Sequence, residues 1–245
     1  MTTETGGIEP TIRATLLGPV EISVQERMLP VLDWPRRAAR SLLFMLLGTP
    51  GHRVARDFAL ETLWPDQQLD AAANSLYKSI HLLRRTLEPD LQTGRGSSFV
   101  VLTPDLIGLN PDIPIWVHAD QFERGLLTRS NSPEARRNSL RTAIGLYRGE
   151  FLADEPYLDW PVARREALRS LWERSVIELA GLDRDADEPL ESIPMLEALI
   201  LADPSIEQAH QSIIRAYVQA GDGESAQRAY DRCERVLENE LDARP

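Results

Sequence analysis

At 245 residues the chain holds one large domain or two ordinary ones, and a hydrophobic content of 42% is enough for packed cores. No apolar run approaches the roughly 18–20 residues of a membrane helix, which argues against a membrane protein. The formal net charge of −11 excludes a uniformly basic nucleic-acid binder. The lone cysteine, Cys233, excludes an internal disulfide and agrees with a cytoplasmic setting.

Residues 1–10 are polar and acidic, without the basic and hydrophobic regions of a signal peptide, and read as a disordered tail. Ile12–Leu17 and Val20–Val24 are β-rich and joined by Gly18-Pro19, and Met28–Leu32 is a candidate third strand. Arg36–Leu47 reads as a largely buried helix ended by Gly48, Pro50 and Gly51. Arg56–Trp64 reads as a short amphipathic helix, broken at Trp64-Pro65.

The next helix, Asp70–Leu87 with Asp70 as its expected N-cap, is the most informative segment. Leu76, Ile80, Leu83 and Leu87 recur at steps of four, three and four, so they share one stripe. At about 100° per residue, Asn74, Lys78, His81 and Arg85 fall on the opposite side. One side is therefore suited to a core and the other to a DNA major groove, although an ordinary solvated face has the same pattern. Ser97–Leu102 and Ile107–Leu109 follow as two short strands around Thr103-Pro104-Asp105. A small sheet, three helices and a β-hairpin form the order of an OmpR-like winged helix-turn-helix. Arg84 and Arg95 are further candidate DNA contacts. Arg95 lies in Gly94-Arg95-Gly96-Ser97-Ser98, read either as a wing reaching a phosphate or minor groove, or as a flexible loop with an incidental arginine.

From Ile113-Pro114, the expected junction, the chain reads as helical, with turn clusters at residues 130–133, 154–156, 183–189, 203–204 and 221–223. Tyr217, Gly221, Ala226, Tyr230 and Cys233 have the spacing of a 34-residue tetratricopeptide repeat. A shift of one repeat maps Ile213, Ala226, Tyr230 and Cys233 onto Leu179, Ser192, Leu196 and Leu199. Such arrays mostly bind partners. Charge divides unevenly: residues 1–112 hold 11 Lys/Arg and 13 Asp/Glu, net −2, whereas residues 113–245 hold 16 and 25, net −9. The acidity thus lies mainly outside the expected reading head.

Nothing in the sequence points to catalysis, a cofactor or a metal. His52, His81, His118 and His210 lack metal-ligand spacing. Asp183, Asp185 and Asp187 suggest a calcium loop, but Glu188 stands where its glycine belongs and Pro194 where its bidentate glutamate belongs. They read instead as a solvated acidic linker.

Three segments carry a family resemblance: Leu16–Val24 (LLGPVEISV), Ala59–Trp64 (ALETLW) and the Asn-Ser-Leu…Leu-Arg-Arg-Thr-Leu core of residues 74–87. With Trp116–Leu127 and Gly149–Ala180, they resemble antibiotic-regulatory-protein (SARP) type transcriptional regulators. The resemblance implies an OmpR-like winged helix over residues 11–112 and an all-α, tetratricopeptide-like bacterial transcriptional activation domain over 113–245. The implied partners are double-stranded promoter DNA in direct repeats, RNA polymerase, and a second copy on DNA. Ala73 and Leu82 stand where the family often has arginine. Those departures and the net charge motivate an alternative, an interaction scaffold or sensor module whose winged helix no longer binds DNA. Many relatives continue past the position of Pro245, so both a short stand-alone regulator and the N-terminal piece of a larger one stay open.

Overall fold

The computed structural model describes residues 11–30, 34, 36–92, 94–128 and 132–241. The chain divides into two compact units, Met1–Gln121 with Arg148–Val162, and Phe122–Tyr147 with Ala163–Pro245. The architecture is mainly α with a small β component, a winged helix-turn-helix followed by helices.

In the first unit, strands β1 (Ile12–Thr15) and β2 (Glu21–Val24) pair antiparallel, with Ile12 opposite Val24. The period-2 alternation puts Ile12, Ala14, Ile22 and Val24 into the core. The third strand, β3, is Arg27–Met28, earlier than expected; residues 31 and 32 of the expected strand lie outside the described residues. A fourth strand, β7 (Ile115–Val117), pairs parallel to β1 and completes the order β3-β2-β1-β7. The first unit therefore continues past the junction expected at Ile113-Pro114. It also takes in residues 148–162. Gly18 N–H donates to the Glu150 carbonyl (3.0 Å) and Leu152 N–H to the Leu16 carbonyl (2.8 Å). Gly18 has φ +95°, and a Cβ there would stand 3.0 Å from the Arg148 carbonyl oxygen, so both conformation and space demand glycine.

Helix α1 (Arg37–Gly48) is buried nearly all round, with Leu42 through Leu47 all inaccessible. It ends where Gly48 meets Phe151; a Cβ on Gly48 would lie 2.6 Å from the ring's Cζ. After it come β4 (Arg53–Ala55), α2 (Arg56–Leu63), α3 (Leu69–Leu87), β5 (Val100–Leu102) and β6 (Leu106–Leu109). A three-stranded sheet runs β4-β6-β5, with Val54 opposite Ile107 and Val100 opposite Leu109. Strand β4 was invisible in the sequence because three residues, Arg-Val-Ala, carry no periodicity. Asp70 does not cap α3. The N-cap is Gln68, without a side-chain bond, and Asp70 lies in the first turn, where its charge suits the helix dipole.

In the second unit, α4 (His118–Leu127, whose first residues belong to the first unit) is followed by α5 (Pro133–Ile144) and α6 (Val162–Asp185). Then come α7 (Ile193–Ala202), α8 (Glu207–Gln219) and α9 (Gly223–Leu241). Tyr147 stacks on Trp172, with ring centroids 4.7 Å apart. The repeat positions Leu179, Ser192, Leu196, Leu199, Ile213, Ala226 and Cys233 are buried, while Tyr230 is exposed. The acidic stretch 183–189 is not a solvated linker throughout. Helix α6 runs to Asp185, and Asp183 is fully buried, accepting from Arg137 Nε (2.7 Å), Arg141 (2.9 Å) and the Ser192 hydroxyl. A carboxylate can be buried there because two guanidiniums and a hydroxyl replace its water.

Candidate nucleic-acid interface

Helix α3 is held on α1 and α2 by Ala72, Leu76, Ile80, Leu83 and Leu87, all buried. The turn before it is tied to its second turn, where the Ser75 hydroxyl donates to Gln67 Oε1 (3.1 Å). At its other end, Arg27 of β3 donates to the Thr86 carbonyl (2.7 Å), satisfying one of the carbonyls left open at a helix C-terminus. Both ends of the helix are therefore fixed by residues of the first unit.

Fixing the buried stripe turns the other one outward. Asn74, Lys78, His81 and Arg85 are all exposed. Among the described residues, none of these four side chains makes a hydrogen bond or ion pair. From Asn74 to Arg85 the stripe runs about 16 Å along the axis, at about 1.5 Å per residue. It presents an amide, an ammonium, an imidazole and a guanidinium, groups that pair with base edges and phosphates.

Arg84 is placed differently. It is half-buried, with one guanidinium nitrogen 3.4 Å from the Val100 carbonyl, so it faces β5 and not the outward stripe. At 100° per residue it lies beside the apolar stripe, and the packing of β5 against α3 decides its direction.

Arg95 is exposed, but Gly94–Ser98 is not the tip of the hairpin. It belongs to the connection from α3 to β5; the turn between the paired strands is Thr103-Pro104-Asp105. Arg95 borders a cleft of about 380 Å³ shared with Gln25, Glu88 and Phe99, at the C-terminal end of α3. The Glu88 carboxylate clamps this connection. It accepts from the hydroxyls of Ser97 and Ser98 and from Ser98 N–H (3.0 Å). Partial burial pushes its pKa up, but hydrogen bonds from Ser97, Ser98 and Phe99 more than offset this and hold it below the ordinary glutamate value.

Two residues of the surface escaped the sequence reading. Tyr77 is 54% exposed on the rim of the stripe, and the Arg56 guanidinium lies 5.2 Å from its ring centroid. Arg56 N–H also donates to the Asp105 carbonyl at the hairpin turn (2.8 Å). The hairpin turn, the start of α2 and the outward face of α3 thus form one continuous surface. Tyr77 was legible as a neighbour of the stripe by helical position; its partnership with Arg56 was not, because 21 residues separate the two.

Among the described residues there is no group of three or more histidine, cysteine, aspartate or glutamate side chains able to hold a metal. Among them, too, no helix is long and apolar enough to cross a membrane.

Fold and surface define a winged-helix protein carrying a helical second unit. Residues 117–245 match the family model of the bacterial transcriptional activator domain. The match covers more than half of the chain, and the chain belongs to that family, one of transcription regulators rather than enzymes. The solved structure of Mycobacterium tuberculosis EmbR in complex with a low-affinity phosphopeptide is similar, with a TM-score of 0.77 at 21% identity. The alignment covers 97% of this chain and 62% of that one, so this chain spans less than two thirds of that protein's length. At such identity the likeness concerns the fold. No curated protein matches the sequence.

Proposed function

We propose that this protein is a sequence-specific DNA-binding transcriptional activator. The carrying observation is the outward stripe of α3, four polar side chains without partners among the described residues, on a helix fixed at both ends in a chain of the activator-domain family. In this reading α3 enters the major groove. Asn74 and His81 face base edges, Lys78 and Arg85 meet bases or phosphates, and Arg56 with the hairpin turn lies over the adjoining backbone. Arg95 is a secondary contact, and Arg84 acts indirectly by bracing α3 against β5. The helical unit supplies the contact with RNA polymerase. Two copies on direct repeats would compensate for a single helix that reads few base pairs and a head with little positive charge.

Binding-site selection from random duplex DNA, followed by gel shift, tests this. K78A/R85A should weaken binding to the selected site by about 1–3 kcal/mol per contact and lower the salt dependence, while the circular dichroism spectrum stays that of the parent. Unchanged affinity in that variant would remove α3 as the reader.

A further inference from the structure

A second charged surface lies in the helical unit, on the face where α9 meets α7 and α8. Arg228, Arg232 and Arg235 follow one another at steps of four and three on α9, so they share one stripe. With Glu197 of α7 and Tyr217 of α8, they line an open cavity of about 320 Å³ floored by Ala229. That volume is at the lower end of ligand-binding clefts.

The three guanidiniums are incompletely satisfied. Arg228 reaches Glu224 (2.6 Å) and the Ser225 hydroxyl (2.9 Å), but the ion pair is highly exposed and screened by water. Among the described residues Arg232 pairs with Glu197 alone, at 3.7 Å, and its Nε is buried without an acceptor. Arg235 donates to the Asp231 carbonyl (3.1 Å), and no carboxylate pairs with it among the described residues. A buried N–H such as that of Arg232 Nε is met by water or by an acceptor from outside, and the 41% exposure of the Arg232 side chain leaves it within reach of either. The surplus positive charge also stands out in a region, residues 113–245, whose net charge is −9.

We infer that this groove binds a short acidic segment of a partner protein in extended conformation. Along the helix the arginines are about 6 Å and 4.5 Å apart, from the rise of about 1.5 Å per residue. Carboxylates on alternate residues of an extended chain are about 6.6 Å apart on one face. Two Asp or Glu residues spaced by one therefore match the wider step, and a third lies within reach of the long Arg235 side chain, each meeting a guanidinium whose fork donates to a carboxylate bidentately. Tyr217 provides apolar surface for a residue between the acids. Duplex DNA is disfavoured because the surrounding negative charge repels a long polyanion, whereas a short segment meets chiefly the groove.

This assignment is independent of DNA binding by α3 and is tested without DNA. The probe is a fluorescein-labelled peptide with three aspartates alternating with leucine, titrated with the full chain at low salt and followed by fluorescence polarisation. Saturable binding is expected, weakened at least tenfold by R228E/R235E and absent for the peptide with asparagine in place of aspartate. R174E/R215E, the same charge change on exposed positions elsewhere in the helical unit, should bind like the parent. Both double variants change exposed side chains, and matching thermal melts confirm their folding. Equal binding by R228E/R235E and the parent would overturn the inference. So would full displacement of the peptide by millimolar inorganic phosphate, which would make this a small-anion site, or by an equal charge concentration of duplex DNA, which would make it a nucleic-acid surface.

Discussion

The burial of Asp183 makes the stability of the helical unit unusually sensitive to one carboxylate. In Asp183→Ala, Arg137 loses its 2.7 Å partner and keeps Glu188, while Arg141 loses its 2.9 Å partner and keeps Glu191 at 3.8 Å. The Ser192 hydroxyl, fully buried, loses its acceptor. Breaking a buried pair from one side typically costs about 3–5 kcal/mol. The surviving partners, and the 30% exposure of the Arg141 side chain, bring the expectation to the lower end, about 3 kcal/mol. The helical unit is less than half of the chain, so at about 4 °C per kcal/mol its melting transition should fall by about 12 °C. Differential scanning calorimetry is the assay, because two units can unfold in separate transitions and only that of the helical unit should move. Ser192→Ala should cost less, since Asp183 keeps both arginines. The triple variant R137M/D183L/R141M should regain most of the loss, because apolar side chains leave no orphaned charge. A shift below about 2 °C in D183A would refute the reasoning, for it would mean that the guanidiniums find water as readily as they found the carboxylate.

Other perturbations probe the first unit and its use. Burial, aided by the charge of Arg148, holds the His118 pKa below the ordinary histidine value. The neutral ring thus contributes stability above about pH 6.5 that is lost as pH falls through the folded-state pKa; in H118Q the decline in urea midpoint between about pH 6.5 and 5 should flatten. Gly48→Ala sets a methyl 2.6 Å from the buried Phe151 ring and should lower unfolding free energy by about 1–3 kcal/mol at constant m-value; an unchanged midpoint would mean that the ring moves freely. If two copies dock on one face of DNA with half-sites about 34–36 Å apart, inserting about five base pairs between them should abolish cooperative gel shifts and about ten should partly restore them. Indifference to spacing would exclude tandem docking.

Much of the fold was legible locally. Steps of three and four placed Leu76, Ile80, Leu83 and Leu87 inside and Asn74, Lys78, His81 and Arg85 outside, because a helix of that length with one apolar stripe has one way to face a core. The same logic set the helices on either side of Trp64-Pro65 and the small positions of the repeat, Ser192 and Ala226. Tertiary structure decided what no periodicity encodes. The three residues of β4 and the three of β7 are strands only because β6 and β1 offer them hydrogen bonds. Arg84 and Arg85 are adjacent in sequence and chemically identical, yet β5 takes one inward and leaves the other exposed. Asp183, Asp185 and Asp187 look alike along the chain, but only Asp183 meets Arg137 and Arg141 from a helix more than forty residues earlier, and only it is buried. Charge and hydropathy are properties of a residue; whether a charged residue is solvated, paired or presented to a ligand depends on neighbours that the fold brings from far along the chain.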